Sequence, residues 1–198
     1  IFIFMTIKLL LKSVCLLLVT TSIHAQSSKR EEGIKIGFKG GLNVSNFISS
    51  DIEEQSFRTS FHIGFVSEIM VSDKVSFQPE LLYSGQGNVS PETKQKYSYI
   101  NVPLMLRYYF MENLSVDAGP QLGFLVDAFS RGNSGNSDIK DQNVFDVALG
   151  AGATYELKNN IFFQGRYNLG LLNVNGADNS DTFKYQNSVI QLSVGYYF

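Results

Sequence analysis

From Gly33 to Phe198, apolar residues recur at every second position rather than every third or fourth. Successive side chains of a strand point to opposite faces, so this alternation predicts strands with one apolar and one polar face. In "IKIGFKGGLNV", Ile34, Ile36, Phe38, Leu42 and Val44 oppose Lys35, Gly37, Lys39, Gly41 and Asn43. The same rule governs "FHIGFVSEIMV", "VSFQPELLYSG", "INVPLMLRYYF", "LSVDAGPQLGFLV", "FDVALGAGATY", "IFFQGRYNLGL" and "SVIQLSVGYYF". No helical period of useful length interrupts them.

The connections alternate in kind. "SDK", "MEN" and "LKNN" are tight turns, whereas "SNFISSDIEEQS", "GNVSPETKQK", "DAFSRGNSGNSDIKDQN" and "NVNGADNSDTFKYQN" read as four long polar loops. Turns therefore lie at one end and loops at the other. The expected fold is all-β: an eight-stranded antiparallel up-and-down barrel. Strands of about ten residues with short turns and long opposite loops are the pattern of an outer-membrane barrel.

Alternation alone does not say which face is inside. Glycine helps: Gly37, Gly41, Gly64, Gly119, Gly123, Gly150, Gly152, Gly170 and Gly195 share the polar face, against Gly40, Gly85 and Gly165 on the apolar one. Eight strands enclose a lumen only just wide enough for side chains, so small residues belong on the crowded concave side. Aromatics fall into two groups on the apolar face. Phe77, Tyr108, Phe110, Tyr155, Phe163, Tyr196 and Phe198 lie toward the turn end, and Phe61, Tyr83, Phe124 and Phe145 toward the loop end. These match two interfacial girdles, although Phe and Tyr also favour strands of any kind.

If the polar face is the lumen, it holds charges of both signs. Lys35, Lys39, Glu68, Glu80, Arg107, Asp117, Asp146, Glu156 and Arg166 are the expected structural charge network, with His62 and Asp127 on the same face. Desolvated charges need partners. A hairpin centred on Glu112 sets Arg107 across from Asp117, the expected ion pair. A turn at Lys158–Asn159 sets Arg166 across from Gly150 or Gly152, which leaves its guanidinium room. The expectation is a plug of ion pairs rather than an open channel, with bulges able to shift the register.

The first residues read differently. Lys8 and Lys12 precede or flank the apolar "SVCLLLVTTSI", and "IHAQ" offers a cleavage point after Ala25. This pattern predicts a removable signal peptide over 1–25, with the true start at Met5, because the apolar run is too short to span a bilayer. Residues 26–32 then form a short periplasmic segment before the barrel at 33–198. The single cysteine, Cys15, leaves with the signal, so neither disulfides nor thiol chemistry remain. Formal net charge is −2, and cleavage removes two lysines, which gives no basic surplus for nucleic acid. A last strand ending on Phe198 suits closure against the first strand and serves as the expected assembly signal for the barrel-assembly machinery.

Catalytic and cofactor motifs are sparse. "GFKGGL" and "GAGATY" do not complete a dinucleotide fingerprint followed by a helix. His62 is the only histidine after Ala25; a serine-type triad would need Ser and Asp around it, and a zinc site further ligands. "DNSD" at 178–181 lacks calcium-loop spacing. The reading is therefore no enzyme, no cofactor and no metal.

"GFKGGLNVSNF", "FQPELLYSGQG", "YINVPLMLRYYF", "VDAGPQLGFL", "LGAGATYEL" and "GRYNLGLLNV", in this order, resemble the PorT-like outer-membrane β-barrel domain family. Its members, often labelled "porin family", belong to Gram-negative bacteria. The resemblance covers Gly33 to Phe198 and implies an eight-stranded barrel integral to the outer membrane, with no shared catalytic residues. The functional expectation is a non-enzymatic barrel, structural or presenting its loops to an unknown protein or ligand, in contact with outer-membrane lipid and with both termini periplasmic. Alternatives are an accessory of a secretion or uptake machine, a loop-end surface hydrolase, and a soluble lipocalin-like binding barrel.

Overall fold

A computed structural model describes residues 33–48, 57–89, 93–132, 135–138, 144–172 and 186–198. The segments 1–25 and 26–32 lie outside the described residues, as does "DNSD". Among the described residues there are nine strands: β1 (Ile34–Ile48), β2 (Arg58–Ser72), β3 (Val75–Val89), β4 (Thr93–Tyr109), β5 (Leu114–Gly132), β6 (Gly135–Asp138), β7 (Phe145–Glu156), β8 (Ile161–Gly170) and β9 (Gln186–Tyr197). Each of the eight long strands pairs antiparallel with its neighbour in sequence. β1 pairs with β9, and β4 with β5, so the sheet closes into a barrel. Closure leaves no unpaired edge among these eight, as a span through hydrocarbon requires. The ninth strand, β6, is a short hairpin partner on the loop end of β5.

The turns are tight for local reasons. Asp73–Lys74 joins β2 to β3. Asn160 adopts φ 64° between β7 and β8, a left-handed conformation that asparagine tolerates better than most residues.

Apolar residues face outward and polar residues inward. Phe38, Leu42, Phe61, Phe65, Leu106, Phe163, Leu192 and Val194 are exposed, whereas Lys39, Asn43, Glu68, Gln78, Glu80, Arg107, Asp117 and Arg166 are buried. This inverts a water-soluble barrel, and the soluble lipocalin-like alternative falls with it. Aromatic pairs mark both rims of the apolar band. Phe38, Tyr196 and Phe198 pack together at the turn end, with centroids 5.9–6.4 Å apart. Phe61–Tyr83 and Phe124–Phe145 stack toward the loop end at 5.9 and 5.4 Å. From Phe145 to Tyr155 the chain climbs ~33 Å, which at a tilt of ~40° is ~25 Å, the height of an outer-membrane apolar band.

Two expectations need correction. The stretch "GNVSPETKQK" is not a long loop: Gly87, Asn88 and Val89 pair with Lys96, Gln95 and Lys94. Likewise β5 continues to Gly132, and Gly132 pairs with Gly135. The reason is that β5, with 19 residues, stands ~45 Å tall at such a tilt, well beyond the ~25 Å apolar band. Past the band the outward face meets water, as at Lys96 and Asp127, so the apolar alternation fades while backbone pairing persists.

Asp127 is the second correction. Ser98 pairs with Asp127 but Tyr99 with Leu125, so Val126 is an extra residue in β5. Such a bulge reverses parity beyond it. Asp127 is thereby exposed, while Leu125 and Ala128 pack on the buried Tyr97 and Tyr99.

Candidate functional site

The lumen is where this barrel concentrates its chemistry, and it is built in layers. At mid-height, Lys39 on β1 donates to Glu80 Oε2 on β3 at 2.7 Å and to Gln164 Oε1 on β8 at 2.7 Å. Arg166 on β8 grips Glu80 with both terminal nitrogens, at 3.0 and 2.9 Å. Its Nε donates to Asp117 Oδ1 on β5 at 2.9 Å. Gln164 Nε2 reaches Asp117 Oδ2 at 3.2 Å and Thr154 Oγ1 at 3.0 Å. Gln78 Nε2 adds 2.6 Å to Glu80 Oε1. The charged side chains of this layer have no exposed surface. Bidentate guanidinium–carboxylate geometry and saturation of the carboxylate oxygens offset the desolvation that burial costs.

Toward the turn end, Arg107 takes the next layer. It lies 3.6 Å from Glu68 Oε1 and donates to the Tyr197 hydroxyl at 3.2 Å and Thr154 Oγ1 at 3.2 Å. Glu68 Oε1 also accepts from Ser76 Oγ at 2.7 Å and from the Tyr109 hydroxyl. Lys35 and Glu156 pair at 3.0 Å, partly exposed. The carboxylates of Glu68, Glu80 and Asp117 thus face the cations of Lys39, Arg107 and Arg166, and the core of the plug is neutral.

The register sets Arg107 opposite Asp117 and Arg166 opposite Gly152. Yet the expected Arg107–Asp117 ion pair is not the one formed. Asp117 belongs to Arg166, at 2.7 Å, and Arg107 turns to Glu68 on β2. The missing side chain at Gly152 lets the Arg166 stem lie inward, where a Cβ would sit 3.1 Å from Arg166 Cβ. Of the remaining expected members, Asp146 makes no ion pair among the described residues. Phe198 lies on the outer rim, its backbone N–H donating to Ile36 O at 2.8 Å across the closing seam.

Above the ionic layers sits a neutral one. His62 Nδ1 is 2.7 Å from Asn43 Oδ1, and Nε2 is 2.8 Å from Ser193 Oγ. An amide oxygen only accepts, so Nδ1 carries a proton. Ser, His and Asn stand in the order of a hydrolase relay. All three are buried, however, and Asn43 also holds Ser84 Oγ at 2.9 Å and Gly85 O at 2.8 Å, so the arrangement braces the lumen wall.

Several lumen residues escaped the reading of charge alone: Gln78, Gln164, Thr154, Tyr109, Phe162 and Tyr197. Parity held the signal, since Tyr109 follows Arg107 by two and Tyr197 follows Gly195 by two. Phe162 and Tyr197 stack with centroids 4.7 Å apart, filling the space that Gly195 leaves.

Comparison with known proteins accords with this geometry. The profile of a family described as "Outer membrane protein beta-barrel domain" matches residues 24–176. No curated protein matches the sequence. Among solved structures, Neisserial surface protein A (NspA) superposes with a TM-score of 0.57 at 15% identity, covering 84% of this chain and 100% of that one. Ail, the attachment invasion locus protein of Yersinia pestis, gives 0.53 at 14% identity, covering 85% of this chain and 100% of the other. At such identities the likeness is one of fold. With the profile spanning most of the barrel, the chain belongs to the outer membrane protein beta-barrel domain family and is an integral outer-membrane β-barrel.

Proposed function

We propose that this protein is a non-conducting, non-enzymatic barrel that anchors surface-exposed connections in the outer membrane for binding a protein or ligand outside the cell. The observation that carries the reading is the neutral layer of Lys39, Glu80, Arg166 and Asp117, whose side chains have no exposed surface. A charge-balanced, hydrogen-bonded cross-section offers neither a water column nor a mobile charge. Extended strands β3, β4 and β5 add height at the loop end, and loops on a rigid scaffold are where recognition is commonly built.

In this reading both termini are periplasmic, residues 1–25 are removed on export, and Phe198 helps the barrel-assembly machinery recognise the chain. Within the family, the six segments from "GFKGGLNVSNF" to "GRYNLGLLNV" favour a PorT-like affiliation. Liposome swelling tests the plug. Vesicles carrying the folded barrel should swell in arabinose no faster than empty vesicles, and rapid sugar entry would overturn the reading. For orientation, trypsin added to intact cells should cut after Lys140 and Lys184, in the connections at the loop end.

A further inference from the structure

Gly40 and Gly165 stand on the outward face, against the general placement of glycine in the lumen. They open the outer wall. A groove of about 530 Å³ runs across β5, β7, β8, β9 and β1, on the side that meets lipid.

Two adjacent rows of the ladder build it. In one row Ala153 pairs with Gly165, and Gly165 with Leu192. In the row nearer the turns Tyr155 pairs with Phe163, Phe163 with Val194, and Val194 with Gly40. Ala153 and the two glycines are therefore the floor, while the exposed Tyr155, Phe163, Leu192 and Val194 are the walls. A Cβ on Gly165 would meet only Leu192 Cδ2, at 3.9 Å, so open space lies above it. Leu114 on β5 and Gly40 on β1 bound the groove. They lie four strand spacings apart, which makes it ~19 Å long and one side chain deep.

The shape selects the occupant. This wall is continuous with the lipid-facing surface, and a recess left unfilled there forfeits dispersion contacts. A second barrel presents a convex wall, which bridges a narrow recess instead of filling it. A flexible hydrocarbon chain fills it. A cation also stands at headgroup level. Leu157 opens the β7–β8 turn, ~13 Å along the strand from Ala153, or ~10 Å of height at a tilt of ~40°. That is less than half of the ~25 Å apolar band, so the groove lies in the leaflet on the turn side. The turn is fixed by the Leu157 N–H donating to Ile161 O at 2.7 Å and the Asn160 N–H to Leu157 O at 3.1 Å. Lys158 within it is exposed and enters none of the described salt bridges. Glu156, the acid nearest in sequence, is held by Lys35. We propose that this groove binds one glycerophospholipid, with an acyl chain in the recess and its phosphate at Lys158.

Native mass spectrometry tests this on the folded protein, released from detergent micelles to which palmitoyl-oleoyl phosphatidylglycerol has been added. Micelles have no sides, so the result is independent of the proposed orientation. The parent should carry one phospholipid per barrel. Gly165→Val fills the floor, displaces about two methylenes and should lower the lipid-bound fraction about tenfold while folding like the parent. Ala153→Leu fills the same floor and should act alike, which keeps the test decisive should Gly165→Val fold poorly. Lys158→Gln should lower retention about fivefold, the worth of one lysine at an anionic surface. Lys74→Gln, in the β2–β3 turn across the barrel, should leave it unchanged. Lipid absent from the parent, retention equal in the parent and the groove variants or Lys158→Gln, or a matching loss in Lys74→Gln overturns the proposal. A lipid-free dimer that Gly165→Val abolishes overturns it in favour of a second copy.

Discussion

Arg166 carries more of the plug than any other residue. It joins β8 to β3 and β5 by contacts to both Glu80 and Asp117. Removing it leaves two buried carboxylates facing each other with only Lys39 to compensate. Breaking a buried pair by deleting one partner costs about 3–5 kcal/mol. Arg166→Met should therefore lower the urea midpoint of the folded barrel by that equivalent, read by the heat-modifiable gel shift. Arg107→Met should cost less, because Glu68 keeps Ser76 and Tyr109 as donors. A double variant, Arg107→Asp with Asp117→Arg, should not recover stability: it sets a second arginine beside Arg166 and strands Glu68. Recovery to the parent midpoint would show that Arg107 and Asp117 are partners after all. Period-two parity made the charged members visible in the sequence. It could not assign partners, because Arg166 and Glu80 are 86 residues apart and meet across the lumen. Transverse contacts depend on barrel stagger, which no local pattern records.

Glycine position tests the elements. Gly195 on β9 faces inward, where a Cβ would overlap the Phe162 ring. Gly165 on β8 faces outward, with the nearest atom to its Cβ position 3.9 Å away. Gly195→Val should abolish or severely reduce folding yield into detergent micelles, whereas Gly165→Val should fold like the parent. Equal yields would place the two glycines in equivalent surroundings and contradict the inward–outward assignment. The strand cores themselves were legible, since β1, β2, β7, β8 and β9 alternate across the apolar band. Strand ends were not. β4 begins at Thr93, inside a stretch whose composition is that of a polar loop, and β5 carries the extra Val126. Nothing in the composition of "GFLVDAF" marks a bulge, so the side-switch of Asp127 required three dimensions to see.

At the scale of the whole molecule, the barrel turns the usual protein inside out. A neutral, hydrogen-bonded interior replaces the apolar core, and lipid takes the apolar surface. Cohesion then rests on closure of the hydrogen-bonded sheet and on the plug. Opening the plug should create conductance. Replacing Glu80 and Arg166 together by glycine removes one charge of each sign and leaves Lys39 and Asp117 joined through Gln164. Planar-bilayer recordings of that variant should show discrete steps that the parent lacks; silence in both would mean that other side chains suffice to block the bore. The partition of faces is tested most directly by nitroxide scanning of β9. Cys15 is the only cysteine, so in a Cys15→Ser background single cysteines from 189 to 196 can be labelled without interference. In bilayers, labels at Ile190, Leu192 and Val194 should collide readily with dissolved oxygen and rarely with a water-soluble nickel chelate. Labels at Gln191 and Ser193 should meet neither. A period-two profile with oxygen maxima at the even positions is the result this account predicts, and nickel accessibility at Ile190, Leu192 and Val194 would contradict it.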